Sequence, residues 1–316
     1  MLINEKLHRR IVEKWKAIDS YRPFPPEIMR KLRESFKIEY TYNTNAIEGN
    51  TLTLRETQFV IEEGQTVRGK SLRELYEVKN HPEAIEYVEK LASEHRELRE
   101  TDIFTLHQII MKETTDPKYI GTYRKGRIKI AGSKHTPPPA YEVPELIREL
   151  IYTVNRNPDE YVAVELVARV LHRLVYIHPF QDGNGRIARL LANLVLIKKH
   201  YPPIIISNSD RKRYFNYLAE ADKGRYKLLA NFVAQYVDKH LDIYLEALEQ
   251  VSGDRKISLK EAANISPYSS TYLRLLANRA LIPATKDGRN WVIQENDLLA
   301  YIRTHKKKSR DLSSTA

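Results

Sequence analysis

The most apolar stretch of the chain, "AVELVARVLHRLVYIHPF", is interrupted by Glu165, Arg169, His172 and Arg173. A membrane-spanning helix wants about 20 nearly uncharged residues, so this one must be buried inside a protein core. "GRIARLLANLVLIKKH" follows a few residues later and is ended by Tyr201, Pro202 and Pro203. Two such helices require partners to cover them, and the flanking sequence supplies helical patterns. Pro25 and Pro26 start "PPEIMRKLRESF", in which Ile28, Met29, Leu32 and Phe36 recur at helical spacing. A second helix is expected over "YTYNTNAIEG", stopping near Gly49, with Asn50 and Thr51 restarting the chain before "LRETQFVIEEG". "SLRELYEVKNHPEAIEYVEKLASE", "ETDIFTLHQIIMKE", "VPELIRELIYTV" and the segment from Arg211 to Val251 continue the period. The expected fold class is mainly α.

One segment departs from that period. In "GTYRKGRIKIAGSKHTPPPAYEVPE" the alternation Arg127, Ile128, Lys129, Ile130, then Gly132 and Pro137 to Pro139, suits a short strand or β-hairpin followed by an extended loop. A strand isolated in a helical protein either hugs the bundle or waits for a partner strand, which makes this flap a candidate docking edge. Cysteine is absent, excluding disulfides, thiolate metal sites and a thiol nucleophile together. The first residues alternate charge with apolar side chains and carry no secretory pattern, so a cytoplasmic protein without membrane attachment is the expectation. The net charge of +11 is uneven: from Arg255 onward there are twelve Lys or Arg against five Asp or Glu.

Between the two apolar helices lies "HPFQDGNGRIAR", His178 to Arg189. Glycines at 183 and 185 flanking Asn184 just before a helix can expose successive backbone N–H groups at its positive end, an anion site suited to phosphate. Asp182 could hold a divalent cation by one oxygen while phosphates and waters complete the shell, the usual arrangement for Mg2+. Arg186 and Arg189, three apart, should share a face and reach terminal phosphates. His178, fixed by Pro179, is placed to take a proton from an incoming hydroxyl. A Gly-Asn-Gly turn alone is commonly a plain cap. Combined with an adjacent His, Asp and two arginines, it points to nucleotidyl transfer.

These residues resemble the signature HPFxDGNGRxxR of Fic-domain proteins at every defined position, from His178-Pro179-Phe180 through Asp182-Gly183-Asn184-Gly185-Arg186 to Arg189. "RIKIAG", "YPPIIISNSDRKRYFNYLAEADKG" and "LDIYLEAL" look like further Fic segments in the expected order, and the likeness runs over about residues 35 to 247. The resemblance implies a Fic helical bundle and transfer of AMP from ATP to a Ser, Thr or Tyr hydroxyl of a target protein, with pyrophosphate released. It implies His178 as base, Asp182 as the ligand of Mg2+ (or Mn2+), Gly183, Asn184 and Gly185 as the anion cradle, Ile187 and Ala188 as further nucleotide-binding residues, and Arg186 and Arg189 on the β- and γ-phosphates. By the same likeness Ile128, Lys129, Ile130 and Ala131 pair with the target backbone, and Tyr214, Phe215 and Asp222 form the adenine end. Asp222 departs from the family's frequent asparagine: a carboxylate accepts hydrogen bonds and donates none.

Thr44-Asn45-Ala46-Ile47-Glu48-Gly49-Asn50 resembles the Fic inhibitory motif [S/T]xxxE[G/N]. The resemblance implies that Glu48 pairs bidentately with Arg189 and removes the cation needed by the γ-phosphate. Some relatives run the reverse reaction, with the glutamate aligning a water, so Glu48 is also a candidate catalytic residue for AMP removal. A homodimer is a further expectation for chains with this kind of brake.

The C-terminal segment resembles an excisionase-like winged helix-turn-helix. A short helix is expected from Ile257 to Ile265, a second from Ser269 to Asn278, and a hairpin with Asp287-Gly288 at its tip. Ser269, Ser270, Tyr272, Arg274, Lys286 and Arg289 would face DNA if nucleic acid is the partner; winged-helix modules also bind proteins. The expected organisation is an N-terminal helical region over 1–75, a catalytic core over 76–250, a linker over 251–256, the small domain over 257–304 and a basic tail over 305–316. The rival function is a DNA-binding regulator whose Fic domain senses nucleotide; transfer of another group, such as UMP or phosphocholine, stands beside AMP transfer within the enzyme class.

Overall fold

Asn4 caps the first helix, α1 (Glu5–Asp19), by accepting the Leu7 N–H, and Arg10 and Lys14 on that helix pair with Asp238. The computed structural model describes residues 2–130, 132–252, 256–288, 290–299 and 301–302. Helix α2 (Pro26–Ile47) runs unbroken where two helices are expected from the sequence. No Gly or Pro lies between Pro26 and Gly49, so nothing in the backbone stops it before Gly49, whose φ of +102° ends the helical path. Capping boxes then start α3 (Leu54–Glu63), through Thr53 and Glu56, and α4 (Leu72–Ser93), through Ser71 and Glu74. Helices α5 (Glu100–Met111) and α6 (Val143–Arg156) follow, separated by the flap.

The core is the pair α7 (Ala163–Ile177) and α8 (Asn184–Lys198). Leu166, Val167, Leu171, Leu174 and Ile177 on one helix, and Ile187, Leu190, Leu191 and Leu194 on the other, are fully buried. Helices α4 and α5 pack on α8, and α6 packs on α7. Each core helix is therefore apolar on most of its circumference, as a centrally buried helix must be. Helices α9 (Arg211–Ala221) and α10 (Lys227–Ser252) complete the bundle; His240 and Tyr236 of α10 accept the N–H groups of Ile205 and Ser207.

The flap does not form the expected β-hairpin. Residues 127–130 are extended without ladder pairing, and the returning stretch contains Pro137, Pro138 and Pro139, which offer no backbone N–H.

The chain divides into two units, Met1–Arg22 with Met29–Tyr244, and Pro23–Ile28 with Leu245–Ala316. In the second unit β1 (Lys256–Ser258) precedes α11 (Leu259–Ile265) and α12 (Ser270–Asn278), and then come β2 (Ala284–Asp287) and β3 (Asn290–Gln294). The antiparallel sheet has the order β1-β3-β2, with Ile257 and Ala284 both opposite Ile293. Ile257, Leu259, Ala262, Leu273, Leu276, Ile282, Ile293 and Leu298 form its core. Ile257 and Ser258, expected to be helical, belong to β1, because Ser258 is the N-cap of α11 and a cap residue is extended. The expected basic tail, residues 253–255 of the expected linker, Ala131 and Arg289 lie outside the described residues.

Candidate active site

Helix α7 ends at His178, which adopts the left-handed conformation (φ 50°, ψ 59°) and donates its N–H to the Leu174 carbonyl. Pro179 prevents continuation, so the imidazole leaves the helix axis at the mouth of the loop. Burial, reinforced by the nearby Arg124 guanidinium, depresses the His178 pKa to about 4, against the opposing pull of the Val175 carbonyl, Glu48 and Asp182. The ring is therefore neutral at physiological pH and able to accept a proton. Its Nδ1 is buried without a hydrogen-bond partner.

The loop that follows is closed on itself and braced from α5. Asn184 accepts the Phe180 N–H at 2.9 Å and donates to the Phe180 carbonyl at 3.0 Å, so its side chain builds the loop and leaves only its backbone for an anion. Phe180 stacks on His107 with ring centroids 3.9 Å apart. His107 accepts the Gly121 N–H on Nδ1, which leaves Nε2–H to donate to the Asp182 carbonyl at 3.2 Å. Gly183 takes φ +80°, and a Cβ there would stand 2.9 Å from Met111 Sδ. A glycine is thus required by both conformation and space.

Gly185 opens α8, and a Cβ on it would collide with Glu48 Oε1. The Glu48 carboxylate hence lies against the glycine turn at the positive end of α8, the place an anion would occupy. Arg189, only 3% exposed, donates to that same oxygen at 2.7 Å through Nη2. Its Nε donates to Thr44 Oγ1 at 2.7 Å and its Nη2 to the Thr44 carbonyl at 2.9 Å, so Thr44 is buried with it. Glu48 engages Arg189 through one oxygen rather than bidentately; Thr44 takes Nε and shares Nη2, and Nη1 is buried without a hydrogen-bond partner. Despite burial, which lowers it, the Arg189 pKa is raised by the Glu48 charge, and the guanidinium keeps its proton.

Arg186 does not share this partner. Its Nη1 lies 3.4 Å from Glu77 Oε1 on α4 and its Nη2 3.7 Å from Asp182 Oδ1, so the two arginines diverge to opposite carboxylates instead of pointing jointly outward. Asp182 accepts the Gly183 N–H at 2.6 Å and is paired with Arg73 of α4, which also reaches Glu77. Burial raises the Asp182 pKa, but Arg186, the Gly183 N–H and Arg73 together hold it below the usual carboxylate value. Among the described residues no cluster of three or more His, Asp or Glu side chains could enclose a metal. Asp182 fits as the single protein ligand of a magnesium ion whose other positions are filled by phosphates and water, with Arg73 displaced. In this structure the arginines are matched by carboxylates and the carboxylate by an arginine.

The remaining candidates are placed as follows. Ile187 and Ala188 are fully buried in the core. Tyr214 is 1% exposed, its hydroxyl pushed up to about 12 by burial and tempered by the Arg189 charge; it underlies the arginine rather than lining an open pocket. Phe215 is exposed beneath Arg211, whose guanidinium is 4.9 Å from its ring and whose Nε donates to the Ile47 carbonyl at the end of α2. Asp222 accepts from His172 Nε2 at 3.0 Å, and Tyr226 donates to His172 Nδ1 at 2.8 Å, which fixes the tautomer and explains an aspartate here. On the flap Ile128 and Ile130 are half-buried and Lys129 exposed. In the C-terminal unit Ser269 caps α12, Ser270, Tyr272 and Arg274 are exposed on it, and Lys286 stands over Trp291. His107, Arg73, Glu77, Arg124 and Arg211 carry no local motif; only tertiary contact brings them to the loop.

Residues 97–196 match the Fic/DOC family model. The protein adenylyltransferase Fic of Nematostella vectensis is 34% identical over 218 residues, 68% of this chain and 50% of the relative. The chain spans about half the length of the curated relatives it matches. A Fic domain-containing signalling protein from Bacteroides thetaiotaomicron superposes with a TM-score of 0.69 at 29% identity, covering 77% of this chain and 96% of that one. A glutamate-to-glycine variant of Fic-1 (residues 134–508) from C. elegans superposes with a TM-score of 0.68 at 30% identity, covering 77% and 72%.

Proposed function

The chain belongs to the Fic/DOC family, and from that premise we propose that it is a protein adenylyltransferase held at rest by Glu48. The observation that carries this reading is the Glu48 carboxylate seated against Gly185 and Arg189: an anion of the chain's own occupies the cradle built for a phosphate. Once Glu48 withdraws, the backbone N–H groups at the start of α8 and the Arg189 guanidinium become available to ATP. The hydroxyl oxygen of a Ser, Thr or Tyr side chain then attacks the α-phosphorus, the bond from that phosphorus to the bridging oxygen breaks, and pyrophosphate leaves. The hydroxyl proton passes to the neutral imidazole of His178. A divalent ion on Asp182 would supply charge neutralisation for the phosphates. Catalysis is by positioning and electrostatic stabilisation, as the charge that develops on phosphate oxygens demands.

Glu48 has a second candidate role. Its hydrogen bond to Arg189 runs through Oε1. In this reading the other oxygen would orient a water for removal of AMP from a modified target. Release of AMP from such a target by the wild-type protein, absent in Glu48→Gly, tests this.

The transferred group is tested with ATP labelled in turn on the α- and γ-phosphate. The Glu48→Gly protein is expected to label itself or a target from the α-label alone, and Glu48→Gly/His178→Ala is expected to lose the signal. Labelling from the γ-phosphate would make the protein a kinase instead, and persistence in the double variant would remove His178 as base.

A further inference from the structure

Arg124 is 4% exposed, and its pKa is lowered by burial with no compensating carboxylate. A buried cation without a counter-ion is costly, so its hydrogen bonds must account for its presence. All of them go to main-chain carbonyls. Nε donates to His178 O at 2.8 Å, Nη1 to Gly126 O at 2.8 Å and Nη2 to Pro138 O at 2.5 Å, while the Arg124 backbone N–H donates to Pro179 O at 2.9 Å. One rigid fork therefore joins the carboxyl end of α7, where the helix dipole favours a cation, to both ends of the flap. Pro137, Pro138 and Pro139 of the return segment carry no backbone N–H, and Arg124 supplies the donor that binds the Pro138 carbonyl to the start of the flap. His135, on the same return, reaches the Tyr176 carbonyl at 2.9 Å and ties it to α7 a second time.

We propose that Arg124 is a positioning residue for the transfer reaction: it fixes the flap and the main chain of His178 as one frame, so that an extended peptide docked on the flap presents its hydroxyl in register with the imidazole. This rests on the adenylyltransferase reading. It assigns to Arg124 the geometry of transfer rather than the binding of nucleotide, since none of its donors faces the glycine turn or the arginines of α8.

The test uses the full chain in the Glu48→Gly background, comparing Arg124→Lys and Arg124→Met with the parent. Lysine keeps the charge but cannot span carbonyls on three segments. Self-labelling at saturating ATP is expected to fall on the order of 10- to 100-fold in both variants, the scale of a misplaced reacting group, with calorimetric affinity for a non-hydrolysable ATP analogue little changed. Parental turnover in Arg124→Lys, or a loss of nucleotide affinity equal to the loss of rate, overturns the proposal. A second readout is the titration of the His178 imidazole by NMR, assigned with His178→Ala. The groups that act on this ring are Glu48 from α2, Asp182 from the loop, the Val175 carbonyl from α7 and Arg124 itself. With wild-type Glu48 retained for this measurement, Arg124→Met takes away the one cation that lowers the ring's pKa, so the midpoint is expected to rise, whereas an unchanged midpoint contradicts the placement. Hydrogen exchange of the flap amides is expected to quicken in Arg124→Lys; unchanged exchange also overturns the frame. If the Glu48→Gly parent transfers nothing, the functional reading fails, and the exchange and NMR results still decide whether Arg124 holds flap and loop together.

Discussion

At the scale of residues, Arg189 is the point on which the site turns. Its guanidinium is buried, where each unmatched donor is costly. Thr44 and Glu48 accept from Nε and Nη2, and Nη1 is left without a partner. Thr44→Val removes the acceptor for Nε while preserving shape. Leaving a buried donor unsatisfied costs about 1–3 kcal/mol. Thr44→Val is therefore expected to lower the melting temperature of the unliganded protein and to raise basal labelling by less than Glu48→Gly does. Unchanged stability would mean that Thr44 is not a true partner of the guanidinium.

At the scale of elements, the brake is a property of α2 and of what grips it. Asn45 donates to the Glu77 carbonyl on α4, Thr41 meets His81 Nδ1 at 3.1 Å, and Arg211 on α9 caps the Ile47 carbonyl at 2.7 Å. Arg211→Ala frees the end of α2 without touching the loop or Glu48. Basal labelling is expected to rise while the Glu48→Gly background shows no further gain; an additive gain would mean that Arg211 acts independently of Glu48, and a loss in that background would place it in catalysis. The loop was legible in the sequence because its parts are contiguous and each meaning is local: glycines for the turn, proline for the helix stop, charges for the anion. The contact of Glu48 with Arg189 was legible from the contiguous Thr44–Asn50 string, although Thr44 binding Arg189 by both hydroxyl and carbonyl was not. Arg73, Glu77, His107, Arg124 and Arg211 come from α4, α5, α9 and the flap, and their roles exist only once those elements meet. The divergence of Arg186 from Arg189 is of this kind: spacing puts both on one face, and Glu77 draws one of them away. The missing flap hairpin was within reach of the sequence, since three consecutive prolines cannot complete a ladder.

At the scale of the whole molecule, burial of histidines ties stability to pH. His107, His178 and His240 are each depressed to about 4 chiefly by burial, and His81 lies well below its ordinary value. An unfolded chain protonates these rings near pH 6.5, so below that the unfolded state binds protons the folded state refuses. Stability is expected to fall between about pH 6.5 and pH 4, by up to about 1.4 kcal/mol per pH unit for each ring. Denaturant unfolding at pH 7 and pH 5 measures this; equal stabilities would show the rings to be solvated. The neutral His178 should conversely keep the transfer reaction active down to pH 5. The fold thus holds a neutral imidazole, a glycine turn at the start of α8 and the Glu48 carboxylate against that turn in one arrangement. The most direct measurement is the initial rate of α-labelled AMP incorporation by the wild-type and Glu48→Gly proteins across ATP concentrations. The glutamate in the cradle requires a large gain in rate on its removal, abolished by Arg189→Ala; equal rates in the two proteins would contradict it.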